Sequence, residues 1–292
     1  MNSPLTQVTL DQWDRRYDRL KRKGFKEPLY GGKISRHLHE GDLRLSTLLF
    51  DGSVEALNLW NFLLTEEERL ADSRQQGKKL VGTMKDLGTV PVMAYALPNL
   101  TAFYQDGAWW IPCVMELSAG LLGIADSLGI DESFCPVRAM LGAFLTEAHF
   151  PLPDLLICST GAVCDDFSAI SQRLNGLGYP LSWWEIPHAR DPDPGERSVS
   201  LSGGREFPAS QAAFVKTELT RVKKLLESVS GNQLSDTMLR KGIEKANYIR
   251  SLLRELRMLV FTAELCPMPG LEMLIAEMLA IHYCSDREET AV

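Results

Sequence analysis

The 292-residue sequence contains no C-x-x-C pair, no G-x-S-x-G elbow, no Walker A loop and no G-x-G-x-x-G turn. These absences remove the usual zinc and ferredoxin spacings, the hydrolase nucleophile, the P-loop and the dinucleotide fingerprint. Histidine is sparse: there are five, and none pairs with another at metal-ligand spacing on one helix face. His37 and His39, in "SRHLHEGD", alternate and read as part of a solvated loop. Positive charge is in deficit, with 31 Lys and Arg against 38 Asp and Glu and a formal net charge of −7. That balance argues against a general nucleic-acid binder, and an anionic ligand would need a local basic pocket. No apolar run is long enough to cross a bilayer, which argues against a membrane protein. The opening "MNSPLTQVTLDQWDRRYDRLKRKG" lacks the apolar core of a signal peptide. Six cysteines are too few and too scattered for a disulfide framework, so reduced thiols and a cytoplasmic location are expected.

What is present is a globular composition, 45% hydrophobic and 24% charged, able to hold a large core in more than one domain. Residues 1–85 read as a mostly helical region. In it, "TEEERLADSRQQGKK" offers Thr65 as N-cap, Glu68 to complete a capping box and Gly77 to end the helix. The basic run "RRYDRLKRKGFK" is most simply a solvated helix end. Residues 86–205 read as an α/β domain. "TVPVMAYAL", "DLLICST" and "LSWWEI" are short apolar segments expected to form strands near 90–96, 154–160 and 181–186. The amphipathic "DDFSAISQRLNGLG" lies between the last two and makes a βαβ unit, hence a parallel, Rossmann-like sheet flanked by helices on both faces. Residues 206–292 are helical. Val222, Leu225, Leu226 and Val229 form one stripe, and Leu239, Ile243, Ala246, Ile249, Leu253 and Leu256 form another. Ser210 and Ser235 are the expected N-caps and Gly231 the expected stop, giving two antiparallel helices, with a third helix in "PGLEMLIAEMLAIHYC". The closing "SDREETAV" reads as the start of a further helix, so the chain is expected to be a fragment leading toward another domain.

The stretch "ICSTGAVCDD" places Cys164 after a strand and before two acids that open a helix. Cys135, in "FCPVRAMLGAFL", stands before a proline suited to the first helical position. A helix start offers unpaired N–H groups and a positive dipole end, a setting that favours a thiolate. In an open α/β sheet, Cys164 would lie at the carboxyl edge, where ligands bind. The alternative for both residues is burial as small apolar side chains. Cys158 is expected to point into the core from mid-strand. Cys113, Cys266 and Cys284 give no clear direction.

The run "FCPVRAMLGAFLTEAHFPLPDLLICSTGAVCDDFSAISQRL", followed by "WWEIP", resembles the 2-hydroxyacyl-CoA dehydratase family. That family also includes the benzoyl-CoA reductase catalytic subunits, and the likeness is to subunits such as the 2-hydroxyglutaryl-CoA dehydratase D-component. It extends over roughly residues 77–292. The resemblance implies a [4Fe–4S] cluster held by cysteine thiolates, with Cys135 and Cys164 matching the first two ligands. The third is expected in a second α/β domain beyond this segment. It further implies low-potential single-electron, ketyl-radical chemistry on an acyl-CoA thioester, a paralogous partner subunit and an ATP-dependent iron–sulfur activator. Whether the reaction is a lyase-type dehydration or an oxidoreductase-type ring reduction is left open. Two alternatives stand beside it: a double-cubane-type reductase of small molecules, and a non-catalytic scaffold subunit whose thiols are merely buried.

Overall fold

A computed structural model describes residues 7–24, 32–37, 47–84, 88–105, 118–148, 150–161, 164–279 and 287–292. Its centre is a four-stranded parallel sheet in the order β4-β3-β5-β6. A short antiparallel pair, β1 (Gln7–Val8) and β2 (Phe50–Asp51), precedes it. The sheet strands are β3 (Lys79–Met84), β4 (Leu100–Tyr104), β5 (Leu155–Gly161) and β6 (Leu181–Ile186). A hairpin of β7 (Ser198–Ser200) and β8 (Glu206–Pro208) follows.

Helices fill the intervals. They are α1 (Leu10–Arg22), α2 (Val54–Leu64), α3 (Glu66–Gln75), α4 (Thr89–Tyr95), α5 (Ser118–Ser127) and α6 (Ala139–Thr146). Then come α7 (Asp165–Gly176), α8 (Ala209–Ser230), α9 (Asp236–Thr262), α10 (Gly270–Leu279) and α11 (Arg287–Thr290).

Alternation along each strand sends its side chains into two separate cores. Leu80, Met84, Phe103, Leu156 and Cys158 face a layer built from α5, α6 and α7. Val81, Ala102, Leu155, Ile157 and Trp184 face the other layer, built from α4 and α8. Both sheet faces are therefore covered, as continuous apolar strands require. A third cluster joins Trp13 and Tyr17 of α1, Leu57 and Trp60 of α2, and Ile275 and Met278 of α10. Helix α10 thus returns to pack on the first helices.

Two of the three expected strands, 154–160 and 181–186, form and pair in parallel. The segment 90–96 is instead helix α4. Its buried residues Val90, Met93, Ala94 and Leu97 recur at i, i+3, i+4 and i+7, a helical period rather than a strand's. Gly88, at φ 88°, turns the chain into the helix, and Pro91 falls within the first turn, where a missing N–H costs nothing. The strands of that region lie on either side, in "KLVGTM" and "LTAFY".

The expected capping box at Thr65 also does not form. Thr65 does precede α3, but its side chain makes no cap bond. It sits at a near-continuous junction with α2, its hydroxyl donates to the Asn61 carbonyl at 2.5 Å, and Arg69 Nη1 donates to it at 2.7 Å. A capping box occurs instead at Thr9 and Gln12, opening α1. Gly77 (φ 81°) and Gly231 (φ 70°) follow their helices in the left-handed region as anticipated. Ser235 caps α9 by accepting from Met238 N–H at 3.2 Å, whereas α8 begins at Ala209 with Pro208 in the N-cap position, so Ser210 lies inside the helix and does not cap it.

Candidate functional site

The strand order creates the site. From β3 the chain crosses to β4 through α4 on one face, and from β5 it crosses to β6 through α7 on the opposite face. β3 and β5 are neighbours, so their carboxyl ends flank a topological switch point, the place where open α/β sheets take ligands. Met84 and Cys158 pair across this edge, and Ser159 Oγ donates to the Met84 carbonyl at 3.0 Å.

The chain leaves β5 through Gly161, which pairs with Ile186 and has φ 92°. Only glycine suits this point, because a β-carbon would collide with the Ile186 carbonyl oxygen. Three residues later Cys164 is the N-cap of α7, extended at φ −62°, ψ 128°. Its side chain is exposed and makes no capping hydrogen bond, so the sulfur is not consumed by the helix it starts. Asp165 and Asp166 occupy the first turn and complement the helix dipole.

Cys135 is likewise exposed and is the N-cap of a short 3-10 helix, Pro136–Arg138, that runs into α6. Its approach is braced from several sides. Asp131 Oδ1 accepts from the N–H of Ser133 at 3.0 Å and from its hydroxyl at 2.6 Å, and these bonds hold the Asp131 carboxyl below its ordinary range. Arg138, buried by its neighbours, donates through Nε to Asp126 at 3.3 Å and through Nη1 to the Phe134 carbonyl at 3.2 Å. The bond that matters most crosses to the other helix: Cys135 N–H donates to Asp166 Oδ2 at 2.9 Å. The 3-10 helix also packs against α7. The structure therefore ties the start carrying Cys135 to the helix opened by Cys164.

The other thiols stand apart. Cys158 is fully buried in the layer under α7, and burial pushes its thiol up to about 12, with a hydrogen bond to Ser171 opposing the shift. A sulfur so protonated is a poor metal donor. Cys266 is exposed in the loop after α9, where its Sγ donates to the Met268 carbonyl at 3.1 Å. Cys113, Cys284 and His39 lie outside the described residues, and His37 falls in a 3-10 helix, Ile34–His37. Among the described residues, no group of three or more His, Cys, Asp or Glu could hold a metal ion. The donor chemistry of Cys135 and Cys164 nevertheless fits an iron–sulfur group. Both are soft sulfur donors at helix starts, exposed and uncommitted to capping. Together they would supply two ligands of such a group.

Sequence reasoning located both cysteines at helix starts but missed two partners of the site. Gly161 could have been found, since a lone glycine ending an apolar strand signals close backbone approach. Asp166 carried no local signal for its bond, because its partner is 31 residues away. No described helix is long and apolar enough to cross a membrane.

No curated protein sequence matches this chain. A family model does: 2-hydroxyglutaryl-CoA dehydratase, D-component, over residues 94–291. The matched span takes in Cys135, the β5–α7–β6 unit with Cys164, and the helices that follow. The chain belongs to the family of the 2-hydroxyglutaryl-CoA dehydratase D-component.

Proposed function

We propose that this chain is the iron–sulfur subunit of an acyl-CoA dehydratase or reductase, with Cys135 and Cys164 as two thiolate ligands of a [4Fe–4S] cluster. Family membership supports a place in a dehydratase-type enzyme. The observation that carries the finer reading is the pairing of two exposed N-cap thiols at a switch point, linked by the bond from Cys135 N–H to Asp166. When bound, the cluster would supply single low-potential electrons to the thioester carbonyl of an acyl-CoA, the chemistry of a ketyl radical. Two thiols do not complete a cubane, so the proposal assigns its remaining ligands to groups beyond the described residues.

The chain's own residues would hold and shield. Cys135 and Cys164 would anchor the cluster from two helix starts, whose free N–H groups favour negative charge. Asp166 would spend its carboxylate on the Cys135 backbone. The layers on both faces of the sheet would keep water from the interior side of the site, an environment in which hydrogen bonding and low dielectric tune the potential. A paralogous subunit and an ATP-dependent activator would complete the system, in the cytoplasm.

Anaerobic preparation followed by iron and sulfide analysis tests the cluster, and turnover of an acyl-CoA with reduced activator tests the reaction. Iron and sulfide in near-equal amounts with a brown chromophore are expected. Protein free of iron after anaerobic reconstitution, alone and with its partner subunit, would favour the scaffold alternative. Iron without acyl-CoA turnover would favour reduction of other small molecules.

A further inference from the structure

We infer that Asp166 is a positioning residue that holds Cys135 in register with Cys164; this rests on the proposed role of the two thiols. The N–H of an N-cap residue has no partner within its own helix and must find one elsewhere. Here it finds Asp166 Oδ2 at 2.9 Å, on the helix that Cys164 opens. Cys135 is braced from its own side by Asp131, Ser133 and Arg138, but those contacts are local to residues 126–138. The Asp166 bond is different in kind, because it relates one thiol-bearing helix start to the other across 31 residues of sequence. Groups that orient a metal ligand through its surroundings govern how firmly the metal is held.

Asp165 provides the control. It occupies the same first turn, carries the same charge and is exposed, without a bond to Cys135. Replacing either aspartate removes a similar favourable charge from the helix start. Only Asp166 also releases Cys135.

The test uses the full chain, reconstituted anaerobically, with two readouts: iron release to a ferrous chelator, and alkylation of Cys135 in the iron-free protein resolved by peptide mass spectrometry. Asp166→Ala should lose iron about tenfold faster than wild type and expose Cys135 to faster alkylation. Asp165→Ala should stay near wild type in both. Asp166→Asn, which keeps an amide oxygen in the accepting position, should restore both. If Asp166→Ala fails to fold by circular dichroism, Asp166→Ser, which is too short to reach Cys135, makes the same comparison. Equal behaviour of the Asp166 and Asp165 variants in both readouts overturns the inference. Wild-type protein that takes up no iron, alone and with its partner subunit, refutes the cluster reading instead, and the alkylation comparison then still decides whether Asp166 positions Cys135.

Discussion

A methyl group on Gly161 would collide with the carbonyl oxygen of Ile186, its partner on the neighbouring strand. This contact sits at the end of β5, three residues before Cys164. Gly161→Ala meets both the collision and a left-handed backbone at φ 92°. The expected cost is about 1–3 kcal/mol, read as a lowered urea midpoint at unchanged m-value. Iron retention should fall with it, since the strain is applied three residues from Cys164. A midpoint equal to wild type would show that the β5–β6 edge yields readily.

Cys164→Ser and Cys158→Ser should separate by iron content. Exchange of a thiolate for a hydroxyl weakens a soft-ligand iron site, so Cys164→Ser should lose most iron and the brown absorbance. Cys158→Ser should keep both, at a stability cost of about 1–3 kcal/mol for a polar group placed in the apolar layer. Equal iron in wild type and Cys164→Ser, with activity retained, would remove Cys164 from the site.

Cys158 also makes a statement about pH. Its folded thiol is raised to about 12 from an ordinary value of 9.0. The group therefore adds stability that is fully present below about pH 9 and is lost as pH climbs toward 12, about 4 kcal/mol at most. Urea midpoints taken between pH 8 and 11 should fall more steeply for wild type than for Cys158→Ala. Parallel curves would show that burial does not hold this proton. Native-state alkylation should modify Cys266 and spare Cys158, because one is exposed and the other is not.

A buried ion pair marks the junction of α2 and α3. Arg69 is 3% exposed and Glu66 6% exposed, with Nη2 donating to Glu66 Oε2 and to the Phe62 carbonyl, each at 2.6 Å. Arg69→Met leaves a buried carboxylate without its cation and should cost about 3–5 kcal/mol in chemical denaturation. The double variant Glu66→Leu, Arg69→Met removes both charges and should recover most of that loss. If the double variant is no more stable than the single, the guanidinium acts through its packing on the Phe62 ring, 3.8 Å away.

The legible parts of this fold were those with short-range causes. The βαβ unit around Cys164 could be read because two apolar segments and an amphipathic one follow each other within about thirty residues. Gly77, Gly231 and Ser235 were readable for the same reason, since capping chemistry acts over one turn. "TVPVMAYAL" misled because β-branched composition and a helical period coexist in it, and packing against α8 and α9 selects the helix. Thr65 misled because its hydroxyl had a competitor, the Asn61 carbonyl one turn back.

The sequence by itself determined that two thiols would stand at helix starts, that one would follow a buried parallel strand, and which family the chain resembles. Those properties follow from residue types within a few positions of each other. Only the tertiary structure decided the order β4-β3-β5-β6, and with it the switch point at which Cys164 stands. Only it joined Cys135 to Asp166, set Gly161 against Ile186, and returned α10 to the first helices. Each is a contact between residues far apart in the chain, formed only when the whole chain packs. Local periodicity carries no record of which distant partner that packing selects.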